Sequence, residues 1–195
     1  MTEKEQEKLV YQDGQCVYLY DEIDRESALG VKLAINAAIE YTNTFYPMNL
    51  GLTPNKGEPI PIYLFIHSYG GFTDASFSLV DYMNNVNHPI YTIGEGSICS
   101  GATLLLTSGS KRLMTPNATL LLHSLRGVQI GTIDTVKDHM KNWDMSHEKM
   151  IAHYVENTNL SKKDVKKLLK RESWLSASEC LEYGIIDAIY DLRPS

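Results

Sequence analysis

The feature that most constrains the fold is a strand–glycine turn–helix pattern that occurs twice in succession. Residues 62–66 form a continuous apolar run, as expected for a strand buried on both faces, and the pair Gly70 and Gly71 follows. A helical pattern continues to about Asn87, and residues 89–93 form a second strand before another glycine-rich turn. Because parallel strands need a crossover connection that is usually helical, this repeat predicts an α/β fold with βαβ units and a mainly parallel sheet.

The second turn, at residues 94–96, leads to Ser100 and an almost purely apolar helical run that ends at Gly109. A hydroxyl at this place lies among unpaired backbone N–H groups at a helix N-terminus, where an oxyanion can be stabilised. The alternative is that Ser100 only caps the helix or packs as a small residue. Both glycine turns follow strands, however, and sites in parallel sheets form at the carboxyl ends of strands. This convergence favours a functional role for Ser100.

The remaining segments extend the same pattern. The other predicted strands are residues 15–20, 111–115, 118–122 and 185–189. Two further helices are predicted at residues 25–42, with Leu29, Leu33, Ala37 and Tyr41 on one side, and at residues 132–157. Two short helices begin with capping boxes at residues 161–164 and 176–179. We predict a single domain over residues 1–195, with a mobile arm at residues 1–14 and a long surface loop at residues 42–61. The strand at residues 118–122 is followed directly by His123. Because this strand and the helix after Ser100 have similar lengths, the strand can bring His123 back to the end of the sheet at which Ser100 lies.

Composition disfavours several classes of function. A net charge of -6 argues against a nucleic-acid-binding protein, and 43% hydrophobic with 22% charged residues is typical of a soluble globular protein. No apolar run is long enough to span a membrane, and the N-terminus does not resemble a signal peptide. The widely spaced Cys16, Cys99 and Cys180 indicate reduced thiols in a cytoplasmic protein. The histidines of the 132–157 helix lack the spacing of zinc ligands, so we expect no metal and no cofactor.

Four blocks of residues follow one another along the chain, at residues 63–71, 96–101, 121–127 and 174–187. In this order and spacing they resemble the proteolytic subunit of the Clp protease, a serine peptidase family with a crotonase-like fold. The similarity covers residues 61–189 and continues more faintly over residues 17–41.

The resemblance implies a role for each matched position. Ser100 would be the nucleophile and His123 the general base, and the backbone N–H groups of Gly71 and Gly101 would form the oxyanion hole. The chemistry of the residues agrees, because a hydroxyl needs a base to act near neutral pH and imidazole has a suitable pKa.

Some positions depart from the family's pattern. Glu172 lies where the family usually has an aspartate as the third member of the triad, and Asp187 is the fallback acid. Tyr69 replaces a usual proline and Gly101 a usual methionine. A longer glutamate can still orient a histidine, as it does in Ser-His-Glu hydrolases. The N-terminal arm is also shorter than the family's, and the 42–61 loop looks like an insertion.

In the family, the segment matching residues 126–157 forms a strand–helix handle that joins two rings of seven subunits. We expect an exposed strand at residues 126–131, which includes Gly127, Val128, Gln129 and Ile130, to add an edge to a substrate or partner peptide. The alternative is an ordinary ordered loop. The resemblance further implies a homo-oligomer of stacked heptameric rings, polypeptide substrates and an AAA+ unfoldase of the ClpX or ClpA type, without nucleic-acid or membrane partners.

The leading interpretation is therefore an ATP-dependent Clp-type serine endopeptidase subunit that cuts unfolded proteins inside a ring chamber. Three alternatives remain open. The chain could be a non-catalytic ring subunit, a stand-alone processing peptidase such as one that acts in virus maturation, or a crotonase-type acyl-CoA enzyme. The presence of both Ser100 and His123 argues against the first and third alternatives.

Overall fold

The computed structural model of the chain describes residues 9–46 and 59–190. Its strands are β1 (Val10–Asp13), β2 (Cys16–Leu19), β3 (Ile62–Ser68), β4 (Ile90–Cys99), β5 (Lys111–Met114), β6 (Thr119–Leu122), β7 (Ser173–Ser176) and β8 (Ala188–Ile189). Its helices are α1 (Arg25–Phe45), α2 (Thr73–Asn85), α3 (Gly101–Thr107), α4 (Ile133–Asn157), α5 (Lys162–Arg171) and α6 (Ala177–Glu182).

The strands form one mixed sheet with the main order β1-β2-β3-β4-β5-β8. Strand β1 is antiparallel to β2, whereas the pairs from β2 to β8 along this order are parallel. Strand β6 pairs in parallel with the end of β4 and antiparallel with β7. Helices α1, α2 and α3 each follow a strand and lead to the next parallel strand. The predicted α/β fold with a mainly parallel sheet is confirmed.

Strand β3 is fully buried on one face only, so the expectation of burial on both faces was wrong. Leu64 and Ile66 are fully buried and join apolar side chains of α1, α2 and α3 in the core. Tyr63 and Phe65, which alternate with them, are half-buried. On that second face aromatic rings cover one another, as in the stacked pair Tyr18 and Phe65 with centroids 5.0 Å apart.

Helix α1 faces the sheet with a different side from the one that its large apolar residues suggested. Leu29 and Leu33 are 57% and 59% exposed. The buried side carries three alanines and two β-branched residues, namely Ala28, Val31, Ala34, Ile35 and Ala38. Asp24 caps the start of the helix, because its carboxylate accepts a hydrogen bond of 2.8 Å from the Ser27 backbone N–H. The apolar stripe through Leu29 and Leu33 is thus left on the surface of the single chain.

Three segments near the N-terminal half differ from the sequence expectation. Residues 10–13 of the predicted arm form β1, because they pair with β2, and residues 1–8 lie outside the described residues. Helix α1 continues to Phe45, and residues 47–58 of the predicted loop also lie outside the described residues. Residues 94–96, predicted as a tight turn, belong to β4, whose pairing with β3 is irregular there.

Two segments near the C-terminal half also differ. Residues 126–131 form no strand, because no neighbouring strand pairs with them within residues 9–46 and 59–190. Strand β7 was not predicted, and it exists because it pairs with β6. The capping box at Ser176 and Glu179 is confirmed, whereas Ser161 caps α5 without the reciprocal bond. Helix α4 buries residues of its last two turns and leaves its first half largely exposed.

Candidate active site

The candidate site lies where three parallel strands end. Strand β3 leads to Gly71, β4 leads directly to Ser100, and β6 leads directly to His123. The register pairs Cys99 with Leu121, and the Ser100 backbone N–H donates to the Leu121 carbonyl at 3.0 Å. This register brings Ser100 and His123 to one cleft of about 460 Å³, which Gly71 also lines.

The backbone of Ser100 is in a conformation that is rare for a residue with a side chain. Its φ is 53° and its ψ is -124°, and such positions cost on the order of 1–3 kcal/mol unless their surroundings hold them. Ser100 is the N-cap residue of α3, yet its side chain makes no capping hydrogen bond. The simple capping role is therefore not what the structure has, and the hydroxyl is left to face the cleft.

The thiol next to Ser100 is a poor competitor as a nucleophile. Cys99 is 2% exposed, and burial raises the pKa of its thiol above the ordinary value. A thiol with a raised pKa is largely protonated near neutral pH, and the thiolate is the reactive form.

Two backbone N–H groups beside Ser100 have no acceptor among the described residues, those of Gly71 and Gly101. A Cβ atom built on Gly101 would lie 3.6 Å from the Gly71 nitrogen, so the two groups are neighbours. Gly70, with φ of 89°, makes this approach possible, because a Cβ there would lie 2.7 Å from the Ser100 Cβ. Paired free donors next to a hydroxyl are the arrangement that an oxyanion requires.

The His123 ring is oriented by the backbone that follows it. Its Nδ1 lies 2.6 Å from the Ser124 carbonyl oxygen. A carbonyl can only accept, so this contact places the proton on Nδ1 and leaves Nε2 as a proton acceptor. Within the described residues the Ser100 hydroxyl makes no hydrogen bond to this ring. Ser100 and His123 therefore share a cleft, and the His123 ring is in the tautomer that suits a base, but no hydrogen bond joins the two side chains within the described residues.

The structure does not bring Glu172 to His123. Glu172 ends α5 with a left-handed φ of 53°, and its carboxylate pairs with Arg126 at 2.5 Å. The two side chains are 57% and 64% exposed, respectively. Arg126 lines the same cleft as Ser100 and His123. The role of Glu172 as the third triad member stays a prediction, and sequence reasoning missed Arg126 as its partner.

The fallback acid lies in a separate contact. Asp187 pairs with Arg112, and its carboxylate also accepts from the Arg112 backbone N–H at 2.8 Å. Although partial burial by itself raises the pKa of Asp187, the hydrogen bonds from Arg112 hold it below the ordinary value. These contacts tie the end of the chain to β5 and give Asp187 a structural role.

The segment from Gly127 to Gln129 lines a second cleft that adjoins the one with Ser100. This second cleft of about 620 Å³ shares Gly71 and Arg126 with the first one and is also lined by Gly127, Val128 and Gln129. Val128 and Ile130 are 86% and 88% exposed. Trp143 of α4, which the sequence did not single out, packs so close to Gly127 that a Cβ there would lie 2.5 Å from the ring.

None of the helices described here is long and apolar enough to cross a membrane. Among residues 9–46 and 59–190 there is also no group of three His, Cys, Asp or Glu side chains arranged to hold a metal ion.

The amino-acid sequence has counterparts among known proteins. A sequence model of the family described as Clp protease matches residues 13–193. The chain belongs to the Clp protease family. This confirms the resemblance carried by the four motifs and makes the chain a member of a family of serine endopeptidases, which sets the acyl-CoA alternative aside.

Several relatives of the chain are named as proteolytic subunits of the Clp protease. A Treponema denticola protein named ATP-dependent Clp protease proteolytic subunit 2 is 36% identical over 132 residues, which are 66% of this chain and 66% of the relative. A Streptococcus sanguinis protein named ATP-dependent Clp protease proteolytic subunit is 36% identical over 137 residues, 67% of this chain and 68% of the relative. A Treponema pallidum protein, again a proteolytic subunit 2, is 31% identical over 68% of each chain. The chain thus aligns with about two thirds of the length of these relatives.

Proposed function

We propose that this chain is a proteolytic subunit that hydrolyses peptide bonds of unfolded polypeptides, with Ser100 as nucleophile and His123 as general base. The observation that carries the proposal is the parallel register of β4 and β6, which brings these two side chains to one cleft. The N–H groups of Gly71 and Gly101, which have no acceptor among the described residues, supply the oxyanion hole. The family of the chain and the names of its relatives support the same chemistry.

The reaction follows from the positions of these groups. The Ser100 hydroxyl attacks the peptide carbonyl while His123 Nε2 takes its proton, and the resulting oxyanion accepts hydrogen bonds from Gly71 and Gly101. The imidazolium then protonates the leaving amine. A water molecule, deprotonated by the same ring, hydrolyses the acyl-enzyme and restores the hydroxyl. The contact between Ser100 and His123 forms when substrate or neighbouring subunits close the cleft, since catalytic hydrogen bonds are often long in a free enzyme.

In this mechanism the carboxylate of Glu172 stabilises the imidazolium after leaving Arg126. Both members of the Arg126–Glu172 pair are more than half exposed, and exposed ion pairs contribute only about 0–1 kcal/mol. Glu172 can therefore leave Arg126 for the His123 imidazolium at a small cost in free energy. Because the Ser124 carbonyl already sets the ring tautomer, the carboxylate is needed for charge stabilisation more than for orientation.

We further propose that the active form is an oligomer that works with an ATPase. The names of the relatives describe subunits of an ATP-dependent protease. The apolar stripe of α1 and the exposed residues Val128 and Ile130 are surfaces that a neighbouring subunit can cover. Stacked rings of seven and a ClpX- or ClpA-type unfoldase are the specific form of this proposal. Degradation of a folded substrate should then require ATP and such an unfoldase in addition to the assembled chain.

A non-catalytic ring subunit is the second candidate, and one observation favours it. Glu172 is paired with Arg126, and Ser100 and His123 are not hydrogen-bonded to each other within the described residues. A subunit that retains this arrangement in its assembly would bind chains without cutting them.

A fluorophosphonate probe separates the two candidates, because it phosphonylates only an activated serine. We expect wild-type protein to be labelled at Ser100 and to hydrolyse a fluorogenic peptide. Ser100→Ala should lose both properties and keep its assembly, measured by light scattering. Ser97→Ala is the matched control, since this serine lies three residues earlier in β4 and should keep full activity. Activity that survives in Ser100→Ala and disappears in Ser97→Ala or Cys99→Ala would contradict the assignment.

A further inference from the structure

Two buried hydrogen bonds join helix α4 to helix α3, one turn apart. The Tyr154 hydroxyl lies 2.5 Å from Thr103 Oγ1, and His153 Nε2 lies 2.8 Å from Thr107 Oγ1. All four side chains are at most 8% exposed. Consecutive residues of α4 thus contact threonines at positions i and i+4 of α3.

The first contact leads to the backbone of Ser100. Thr103 Oγ1 donates to the Ser100 carbonyl oxygen at 2.6 Å, and the Thr103 backbone N–H donates to the same oxygen at 3.0 Å. A threonine hydroxyl has one hydrogen, so the Tyr154 hydroxyl must be the donor to Thr103. Tyr154 is therefore one hydroxyl away from the peptide group that follows the nucleophile.

That peptide group carries one of the oxyanion donors. The Ser100 carbonyl and the Gly101 N–H belong to one planar amide, so a hydrogen bond that fixes the oxygen also fixes the direction of the N–H. Ser100 itself has a φ of 53°, a conformation that persists only when the surroundings hold it. The hydroxyl of Thr103 is one of the contacts that hold it.

The second contact does not lead to the cleft. Thr107 Oγ1 donates to the Thr103 carbonyl oxygen at 2.8 Å and accepts from His153. It involves the same residue type, the same two helices and a similar burial. Within the described residues, however, neither Thr107 nor His153 lines the cleft or makes a hydrogen bond to Ser100 or His123. Thr107 is therefore a matched control for Thr103.

We propose that Thr103 and Tyr154 are positioning residues that aim the Gly101 N–H at the oxyanion. Thr103 holds the Ser100–Gly101 amide directly, and Tyr154 acts through Thr103. This inference rests on the proposed function of Ser100 and adds residues outside the cleft to it. It also connects α4 to the chemistry, because Tyr154 belongs to the buried end of that helix.

The test compares Thr103→Val, Tyr154→Phe, Thr103→Ser and Thr107→Val. Valine removes the hydroxyl and keeps the shape, whereas serine keeps the hydroxyl. Removing one oxyanion donor costs on the order of 100- to 1000-fold in kcat, and misdirecting it costs less. We expect Thr103→Val to lower kcat roughly 10-fold or more with little change in KM, and Tyr154→Phe to lower it about 3-fold to 10-fold. Thr103→Ser should restore most of kcat.

A peptide boronate provides the second readout, since its tetrahedral adduct with a serine carries the oxyanion. Its affinity should fall in parallel with kcat/KM in Thr103→Val and Tyr154→Phe. Thr107→Val should lose stability in urea like Thr103→Val but keep wild-type kcat and boronate affinity. Equal kcat values for Thr103→Val and Thr107→Val, whether both lowered or both normal, would overturn the inference.

The experiment distinguishes failure of the positioning role from failure of the proposed function of Ser100. If Ser100→Ala abolishes hydrolysis while Thr103→Val and Tyr154→Phe behave as wild type, only the positioning role is wrong. If Ser100→Ala retains hydrolysis, the nucleophile is wrong and the positioning role fails with it. Circular dichroism and light scattering of every variant confirm that the compared proteins share the fold and assembly.

Discussion

At the scale of single residues, the Arg126–Glu172 pair bears directly on the proposed mechanism. The Ser124 carbonyl performs one task usually left to a triad carboxylate, because it fixes the His123 tautomer. The second task, stabilisation of the imidazolium, needs a negative charge near the ring. In the proposed mechanism Glu172 supplies that charge after it leaves Arg126.

If Arg126 and the His123 imidazolium compete for the Glu172 carboxylate, substitutions of Glu172 and of Arg126 should have opposite effects on kcat. Glu172→Gln should lower kcat about 10-fold to 100-fold, less than the roughly 10,000-fold loss expected when the tautomer is also lost. Arg126→Gln frees Glu172 and should leave kcat unchanged or raise it, and Glu172→Asp should retain activity. Steady-state hydrolysis of a fluorogenic peptide measures each effect.

The control for charge is Lys163→Gln, which removes an exposed positive charge from α5 and should have wild-type kcat. Wild-type turnover in Glu172→Gln would mean that Glu172 is not the third member. Asp187 would then be the next carboxylate to test, although its pair with Arg112 places it in a structural contact.

At the scale of elements, helix α4 has two different halves. Its last two turns carry its buried residues, among them Ile151 and Tyr154 of the core, whereas Ile133 near its start is 75% exposed. At 1.5 Å per residue this helix of 25 residues is about 37 Å long, longer than the core that it packs on can cover. The exposed half and the segment before it are therefore suited to contacts with another subunit.

We predict that the native protein has a mass many times 22.0 kDa, measured by light scattering at micromolar concentration. Ile130→Glu should shift the population toward smaller species, because Ile130 is 88% exposed in the single chain and a charge there opposes apolar contact. Leu181→Glu, at an exposed apolar position of α6, is the control and should leave the mass unchanged. A stable monomer of the wild-type chain would contradict the assembly.

At the scale of the whole molecule, the buried polar side chains make stability depend on pH. Burial lowers the pKa of His153 to about 4. In the unfolded chain a histidine has a pKa of about 6.5, so the unfolded state binds the proton first as the pH falls. The neutral ring is stable in the fold above pH 6.5, and stability is lost between about pH 6.5 and 4.

We expect the free energy of unfolding, measured in urea, to fall by about 3 kcal/mol over this range through His153 alone. His153→Gln cannot titrate and should have a shallower pH profile, even if it is less stable at pH 7. His139→Gln, at an exposed position of the same helix, should keep the wild-type profile. Identical slopes for His153→Gln and wild type would show that His153 is not the group responsible.

Much of the fold and part of the site could be predicted from the sequence, because they depend on local patterns. The apolar run and glycine pair at β3 and the helix start at Ser100 are contiguous signals, and both lie where they were expected. The side of α1 that faces the core was mispredicted, because both sides of this helix carry apolar residues: Leu29 and Leu33 are exposed, whereas Val31 and Ile35 pack in the core. Strand β7 has four residues and exists only through its pairing with β6.

The sequence by itself determined the α/β alternation, the family and the two residues proposed to react, since apolar periodicity, glycine turns and short motifs are properties of neighbouring residues. Only the tertiary structure decided which groups meet across the chain. The register of β4 and β6, the partner of Glu172 and the contact of Tyr154 with Thr103 join residues about 20 to 50 positions apart. Such contacts arise from the packing of whole elements, and no local pattern specifies them.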